Sequence, residues 1–494
     1  MSSAAAPLSG APSGRSADAR LWAPSSAQLM ALALAFLAFF AAAVARQLLW
    51  DGDTLWHLAT GQWMLDHHQI VSADPFSFTA LGRPWTNLEW LSEVVMAPVY
   101  AAGGFSALQL LFAAAVAALA FILADEIGRR MPPFSCAVAV VLALACTSPS
   151  WLARPHMLAL PILALWTVQM LRAREEERAP PLWLLPLMIV WANLHGSFVL
   201  GLALLAPFAA EALLEAPAGR RSEVVRDWGL FCLLALLAAL ATPHGIWGPI
   251  YTVKLATMKS LPDIIEWQSS NFATLGPFEV TVLAALFVLL SRGVRVPLVR
   301  LIVLLGLVHL ALHETRHVMV LAVVGSLLLA EPIGRVLWES GKASRLPEMS
   351  SKVRILALSS LVVAFAGVAA ARLSVPAMLT DSPTTPISAL GHVPQGLRGQ
   401  PVLNDYGMGG FLIFNQVRPF IDGRADMYGD DFVQRFMKIA KRDRAALTAL
   451  LSRYGVRWTI LAPENPAVAE MDSLPGWKRL YADGSAVVHV RTAP

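Results

Sequence analysis

A chain of 494 residues that is 56% hydrophobic and only 15% charged, with a mean hydropathy of +0.57, lacks the charge to cover a soluble surface and is a polytopic membrane protein. The net charge of +4 comes from small basic clusters between apolar runs, which excludes a nucleic-acid partner, since no basic face is formed. Cys136, Cys146 and Cys232 all lie inside apolar runs, so they read as small buried side chains without disulfide or metal spacing.

Residues 1–27 are rich in Ser, Ala, Pro and Gly and are expected to form a disordered tail. A membrane span needs about 20 predominantly apolar residues. That rule marks eleven candidate helices between residues 28 and 374, centred near residues 37, 114, 141, 164, 187, 206, 235, 284, 306, 326 and 363. The first follows a long polar lead and precedes an acidic, aromatic segment, which suits a retained anchor rather than a cleaved signal. Alternate loops carry eighteen Lys and Arg on one side and six on the other. By the positive-inside rule the N-terminus faces the cytoplasm, and an odd number of spans leaves the C-terminal region outside.

The first external loop, residues 47–90, is too long for a simple turn. Apolar positions at helical spacing over residues 54–68 predict a short helix on the membrane surface. Pro75 and Pro84 enforce extended backbone after it, and Trp85 and Trp90 suit an aromatic belt. Residues 375–494 change character to alternation and turns, which predicts a small external α/β domain. "QPVLNDY", "GGFLIF", "RPFIDGR" and "VRWTILA" read as strands, residues 430–455 as an amphipathic helix closed by Gly455, and "WKRLYADGSAVVHVR" as a hairpin turning at Asp483-Gly484.

The unusual polar groups all fall on the poorly basic, external side. They are Asp51, Asp53 and His57 in "DGDTLWH", Arg154 and His156 in "ARPHM", Asn193 and His195 in "WANLHGSF", His244, Glu266 in "DIIEW", and Arg316 and His317 in "HETRH". Ionisable groups at the ends of membrane helices are costly to desolvate and mark a cavity or site. Asp51 and Asp53 can bind a divalent cation such as Mg or Mn through their oxygens, or one of them can act as a general base. Asp53 can equally cap the helix that follows it. Carboxylates facing imidazoles and arginines at one bilayer surface suit an anionic phosphate leaving group beside an attacking hydroxyl or amine, hence group transfer from a lipid-linked donor.

These motifs resemble those of the glycosyltransferase C (GT-C) superfamily of polyprenyl-phosphate-sugar-dependent membrane enzymes. "NDYGMGGFLIF" is similar to the Trp-Trp-Asp-Tyr-Gly motif of the oligosaccharyltransferase catalytic subunit through Asp405, Tyr406 and Gly407, and "DGDTLWH" is similar to its first-loop aspartate motif. The paired tryptophans are replaced by Leu403 and Asn404, and Arg154-Pro155-His156 stands where a second acidic pair is found. The resemblance therefore implies a bacterial sugar or glycan transferase rather than protein N-glycosylation.

It implies a GT-C-like helical fold, and a chain in the inner membrane with its C-terminal domain in the periplasm. It also implies a polyprenyl-phosphate or polyprenyl-pyrophosphate sugar donor, a glycan, lipid or protein acceptor, and inversion at the anomeric carbon. In this reading Asp53 and Asp51 are catalytic and hold any metal. His57, Arg154, His156, His195, Arg316 and His317 bind the donor phosphate or sugar, while Glu266, Tyr406, Arg424 and Asp426 meet the acceptor. A calcium loop in "FIDGRADMYGDD" is an alternative role for its aspartates, although the terminal glutamate of an EF-hand is missing. The alternative classes are a multi-span transporter and a glycan- or lipid-binding assembly protein. The topology is testable: alkaline phosphatase fused after Pro494 is expected to be active, whereas green fluorescent protein at the same place stays dark.

Overall fold

The computed structural model describes residues 24–341, 344–439 and 443–492. The tail expected over residues 1–27 lies outside the described residues up to residue 23. Past that point chain order replaces it: the Ser25 side chain accepts from the Gln28 backbone N–H and Gln28 reaches back to Ser25 N, a capping box that starts α1 (Ser26–Val44).

The helices that follow are α2 (Asp53–His67), α3 (Trp90–Gly128), α4 (Pro133–Thr147), α5 (Pro155–Glu175), α6 (Leu184–Leu194) and α7 (Phe198–Glu215). Then come α8 (Arg221–Ala239), α9 (Trp247–Ala256), α10 (Pro277–Ser291), α11 (Leu298–His313), α12 (Val318–Glu339) and α13 (Ser351–Ser374). Each of the eleven expected centres falls inside one of these helices. Among the described residues, seven helices are long and apolar enough to cross a membrane by length and composition, which does not confirm the count of eleven spans. An 11-residue helix such as α6 rises only roughly 16 Å, about half of a hydrocarbon core of about 30 Å. Segments α10 and α11 are apolar but also short, and α8 opens with Arg221, Glu223, Arg226 and Asp227.

Small residues set the helix packing. Ala31, Ala35, Ala38 and Ala42 recur on one face of α1 and are buried against α3, the close approach that small residues permit in a membrane. Gln109 of α3 donates to the carbonyls of Ala42 and Ala45, and accepts from Arg372 of α13 at 2.9 Å. The α3 helix bends where Gly103 and Gly104 leave helical geometry, which frees its first turns to follow the loop rather than the bundle. At the opposite end of the bundle, buried Glu126 and Glu211 are held by Arg172 and Arg300.

The C-terminal region carries β1 (Val402–Asn404), β2 (Trp458–Leu461), β3 (Trp477–Ala482) and β4 (Val487–Arg491) in the order β1-β2-β4-β3. The β1 and β2 strands are parallel, and β4 is antiparallel to both β2 and β3. The expected hairpin is present, its turn closed by Asp483 accepting from the N–H groups of Ser485 and Ala486. "GGFLIF" is helical (Gly409–Phe414), not a strand, and "RPFIDGR" forms no strand. An apolar run buried on every side has no alternation to distinguish the two periods. Residues 430–455 form two helices, Asp430–Ile439 and Arg444–Arg453, the second capped by Asp443.

This region is seated directly on the first loop. A Cβ at Gly52 would lie 2.2 Å from the Gly407 carbonyl oxygen, and one at Gly410 would lie 2.0 Å from that of Gly52. Backbone meets backbone here, which only glycine allows. Thr384 donates to the Trp50 carbonyl and Thr79 to that of Phe420, and Arg83 donates to the carbonyl of Tyr428 at 2.8 Å. Gly410→Ala is expected to cost about 1–3 kcal/mol by forced displacement. Gly484→Ala, with open space around it, should stay within about 0.5 kcal/mol. Thermal unfolding of the purified variants checks both.

Candidate active site

Asp51 precedes α2 and its Oδ1 accepts from the Asp53 backbone N–H at 3.2 Å. Helix α2 has no side-chain cap, so the Asp53 carboxyl is not consumed as a cap, the bland role open to it from sequence. Instead both aspartates turn to Arg154, the residue before α5. Its Nη2 lies 2.7 Å from Asp51 Oδ1 and 2.9 Å from Asp53 Oδ2, and its Nε donates to Asp51 Oδ2. Its Nη1 donates to Glu266 Oε2 at 3.0 Å. The other Glu266 oxygen faces Arg316 Nη1 at 3.7 Å, and the Arg316 guanidinium stacks over Trp267 at 4.0 Å. Four separate loops thus supply one alternating array in which Glu266 is the anion shared by two guanidinium groups.

The charge states follow from burial. Burial pushes the Asp53 carboxyl up to about 7, with Arg154 pulling the other way and Asp51 and Glu266 adding to the rise. For Glu266 burial also acts upward, but Arg154 and Arg316 prevail and hold it below the ordinary carboxylate range. Burial, with Arg154 nearby, keeps His57 well below the usual imidazole range, and burial with His156 and Arg316 does the same to His195. His156 donates from Nε2 to the Ser150 carbonyl and its ring centroid is 6.2 Å from that of His195. The two imidazoles are therefore neighbours on one side of the array. His317 lies beside the array rather than in it, with Nδ1 3.1 Å from Glu314.

The C-terminal region closes the remaining wall. Gly423 backs onto Asp53: a Cβ there would lie 2.1 Å from the carboxylate. Tyr406 donates from its hydroxyl to the Gly423 carbonyl. Asp426 accepts from the Tyr251 hydroxyl at 2.9 Å, and burial raises its pKa. Asp405 is turned away, accepting from Ala462 N and Asn465 Nδ2.

Arg424, expected to meet the acceptor, is corrected to a structural role. It is 1% exposed, and its guanidinium is held by Asp422 on two sides and by Asp74 at 2.8 Å, with Trp85 packed against it at 4.7 Å. With Asp422 engaged there, and Asp430 capping Lys259 and Ser260 backbone N–H groups, the calcium-loop alternative has lost its ligands. Nor are Trp85 and Trp90 a belt: Trp85 is buried, and Trp90 donates to Asn193 Oδ1 at 2.8 Å. The sequence reading also missed Asn87, Glu89 and Glu93, which surround His57. Two glutamates four residues apart at the mouth of an apolar helix were the signal, masked by the tryptophan between them.

A divalent cation does not fit this donor set. Asp51 and Asp53 are both engaged by one guanidinium, and among the described residues no group of three or more His, Cys, Asp or Glu is arranged to hold a metal ion.

No family model and no curated protein matches the chain. Solved structures similar to it include the Archaeoglobus fulgidus oligosaccharyltransferase in the apo form, at 12% identity over 88% of this chain and 68% of that one, with a TM-score of 0.49. The same enzyme tethered by a disulfide to an acceptor peptide containing the NVT sequon aligns over 94% and 74%, at 11% identity and a TM-score of 0.49. ArnT from Cupriavidus metallidurans bound to undecaprenyl phosphate aligns over 93% and 97%, at 15% identity and a TM-score of 0.45.

Removing one member of a buried ion cluster leaves its partners uncompensated. Arg424→Met is therefore expected to destabilise the protein by about 3–5 kcal/mol. A lower unfolding temperature, with acceptor KM unchanged in the fraction that stays folded, is the result that separates this role from acceptor binding.

Proposed function

We propose that this chain is a membrane glycosyltransferase that moves a sugar or glycan from a polyprenyl-phosphate or polyprenyl-pyrophosphate donor to an acceptor at the external, periplasmic face. The observation that carries the proposal is Glu266 held between Arg154 and Arg316. Two guanidinium groups from different loops, already sharing one anion, make a cradle that a phosphate can enter by displacing a half-exposed carboxylate. The cradle sits at the mouth of apolar helices, where a lipid tail remains in the membrane while its phosphate reaches the site.

In this reading Asp51 and Asp53 fix the plane of Arg154, so its donors are aimed before the donor arrives. Charge then develops on the leaving phosphate against groups that need no reorganisation, the condition under which such stabilisation is largest. His156, kept neutral, offers a hydrogen bond to a sugar hydroxyl without competing for the anion, whereas both ring nitrogens of His195 already face Ser197 and Glu89. His317 supports the loop through Glu314. Tyr406 and Asp426, brought from the C-terminal region, face the acceptor, and inversion at the anomeric carbon is the stereochemistry that the motif resemblance implies. A transport pathway would need charged groups continuing along the bundle, whereas the buried acids and their arginines divide between its two ends.

The test is a transfer assay on purified protein in lipid with a panel of radiolabelled polyprenyl-phosphate and polyprenyl-pyrophosphate sugars. Arg154→Ala is expected to lower turnover by about 100- to 1,000-fold, the loss typical of one preorganised anion-stabilising group. A chelator should leave the wild-type rate unchanged. Full activity in Arg154→Ala would overturn the cradle, and a rate restored only by added Mg or Mn would return the metal expected from the sequence.

A further inference from the structure

The loop that leads into α3 places two carboxyls around one imidazole. Glu89 Oε2 is 3.7 Å from His57 Nε2, and Glu93 Oε1 is 2.9 Å from His57 Nδ1. The second oxygen of Glu93 accepts from Asn87. On its other side Glu89 Oε1 lies 3.2 Å from His195 Nε2. His195 Nδ1 accepts from the Ser197 backbone N–H at 3.1 Å, so the proton of the neutral ring sits on Nε2, the nitrogen that faces Glu89.

Exposure separates the members of this chain. The Glu93 side chain is 0% exposed and that of His57 3%, whereas that of Glu89 is 25% exposed. Glu89 therefore presents the open edge of the cluster to the cavity. Its oxygens also differ from those of Asp51 and Asp53, which are paired with the Arg154 guanidinium and so are already committed as acceptors of its N–H groups. Among the described residues, the ion-pair partners of Glu89 are two imidazoles.

Resting on the glycosyltransferase reading, we propose that Glu89 is the general base that accepts the acceptor's proton, with His195 orienting its carboxyl and His57 linking it to the buried Glu93. In the step, the acceptor O–H or N–H bond breaks and its proton passes to a Glu89 oxygen. The freed electron pair forms the bond to the anomeric carbon. The bond from that carbon to the phosphate oxygen breaks, and its electrons leave on the polyprenyl phosphate held by Arg154 and Arg316. Glu89 then loses the proton through its exposed edge. Asp51 and Asp53 are positioning residues for Arg154 in this scheme.

The groups facing Glu89 are His57 and Asp53 from α2, Glu93 from α3, Arg154, His195 and Arg316 from the loops, and Asp426 from the C-terminal region. Burial raises the Glu89 carboxyl to about 8, with Asp426 adding to the rise and Arg154 and Arg316 opposing it. A base must be ionised to act, so wild-type kcat is expected to climb as pH rises through about 8 and then level off.

The experiment uses the full chain in lipid with a polyprenyl-phosphate sugar from the panel above. Glu89→Gln is expected to lower kcat by about 100- to 10,000-fold, with donor KM within about twofold because donor contacts are untouched, and to abolish the rising pH limb. Formate added to Glu89→Ala should restore part of the rate. Should Glu89→Gln not fold, Glu89→Asp carries the test, with a lower kcat that keeps the rising limb. A Glu89→Gln enzyme with wild-type kcat, or with a reduced kcat and the pH limb intact, overturns the assignment while the glycosyltransferase reading stands. A folded wild type that turns over no donor overturns the reading and this assignment together.

Discussion

The guanidinium of Arg154 is the point on which the first loop, the α4–α5 connection and the loop bearing Glu266 converge. Three carboxylates within reach of a single cation would repel one another in a desolvated site, and Asp53 already responds by rising to about 7. Remove the cation and the acids cannot all stay ionised at that spacing. Arg154 therefore does more than pair with its neighbours: it makes their proximity tolerable, and through them it holds three loops in register. In the proposed function the same arrangement governs how a donor binds, since an arriving phosphate competes with Glu266 for N–H groups that are already aimed.

A second division of labour runs between two kinds of acid. Asp51, Asp53 and Glu266 are tied to guanidinium groups, whereas Glu89 and Glu93 are tied to imidazoles and an amide. Carboxyls of the first kind orient positive charge; those of the second are paired with neutral rings and an amide, so no guanidinium is committed to them. The sorting follows from position. The arginine-bound acids lie around Arg154 between the loops, and the imidazole-bound ones line the wall shared by α2, α3 and the end of α6.

Much of this was legible in the sequence, and the failures have identifiable causes. That Asp51, Asp53, Arg154, His195, Glu266 and Arg316 would share one end of the bundle followed from where the basic loops were not. What could not be read was partner choice: Asp53 as cap, base or metal ligand looked alike until Arg154 was seen between the carboxylates. Arg424 looked like a surface contact because its stabilising partner, Asp74, is 350 residues away in the chain. "GGFLIF" gave no usable period, being apolar throughout. Its glycines had their reasons in backbones elsewhere, Gly409 against Ile421 and Asp422 and Gly410 against Gly52. Trp90, read as an interfacial aromatic, obscured the two glutamates beside it, though the cost of charge at a helix mouth argued for them.

The glycine seam between the first loop and residues 407–410 has a consequence for the inheritance of the protein. A domain joined by a linker can be exchanged for another with little effect on its host, whereas here the carbonyls of Gly52 and Gly407 lie within atomic contact of the opposing chain and Gly423 forms the back of Asp53. The C-terminal region is in effect a wall of the site built by the first loop. A graft of another C-terminal region would have to bring its own first loop, so the shape of this site changes only when two distant stretches of sequence change together.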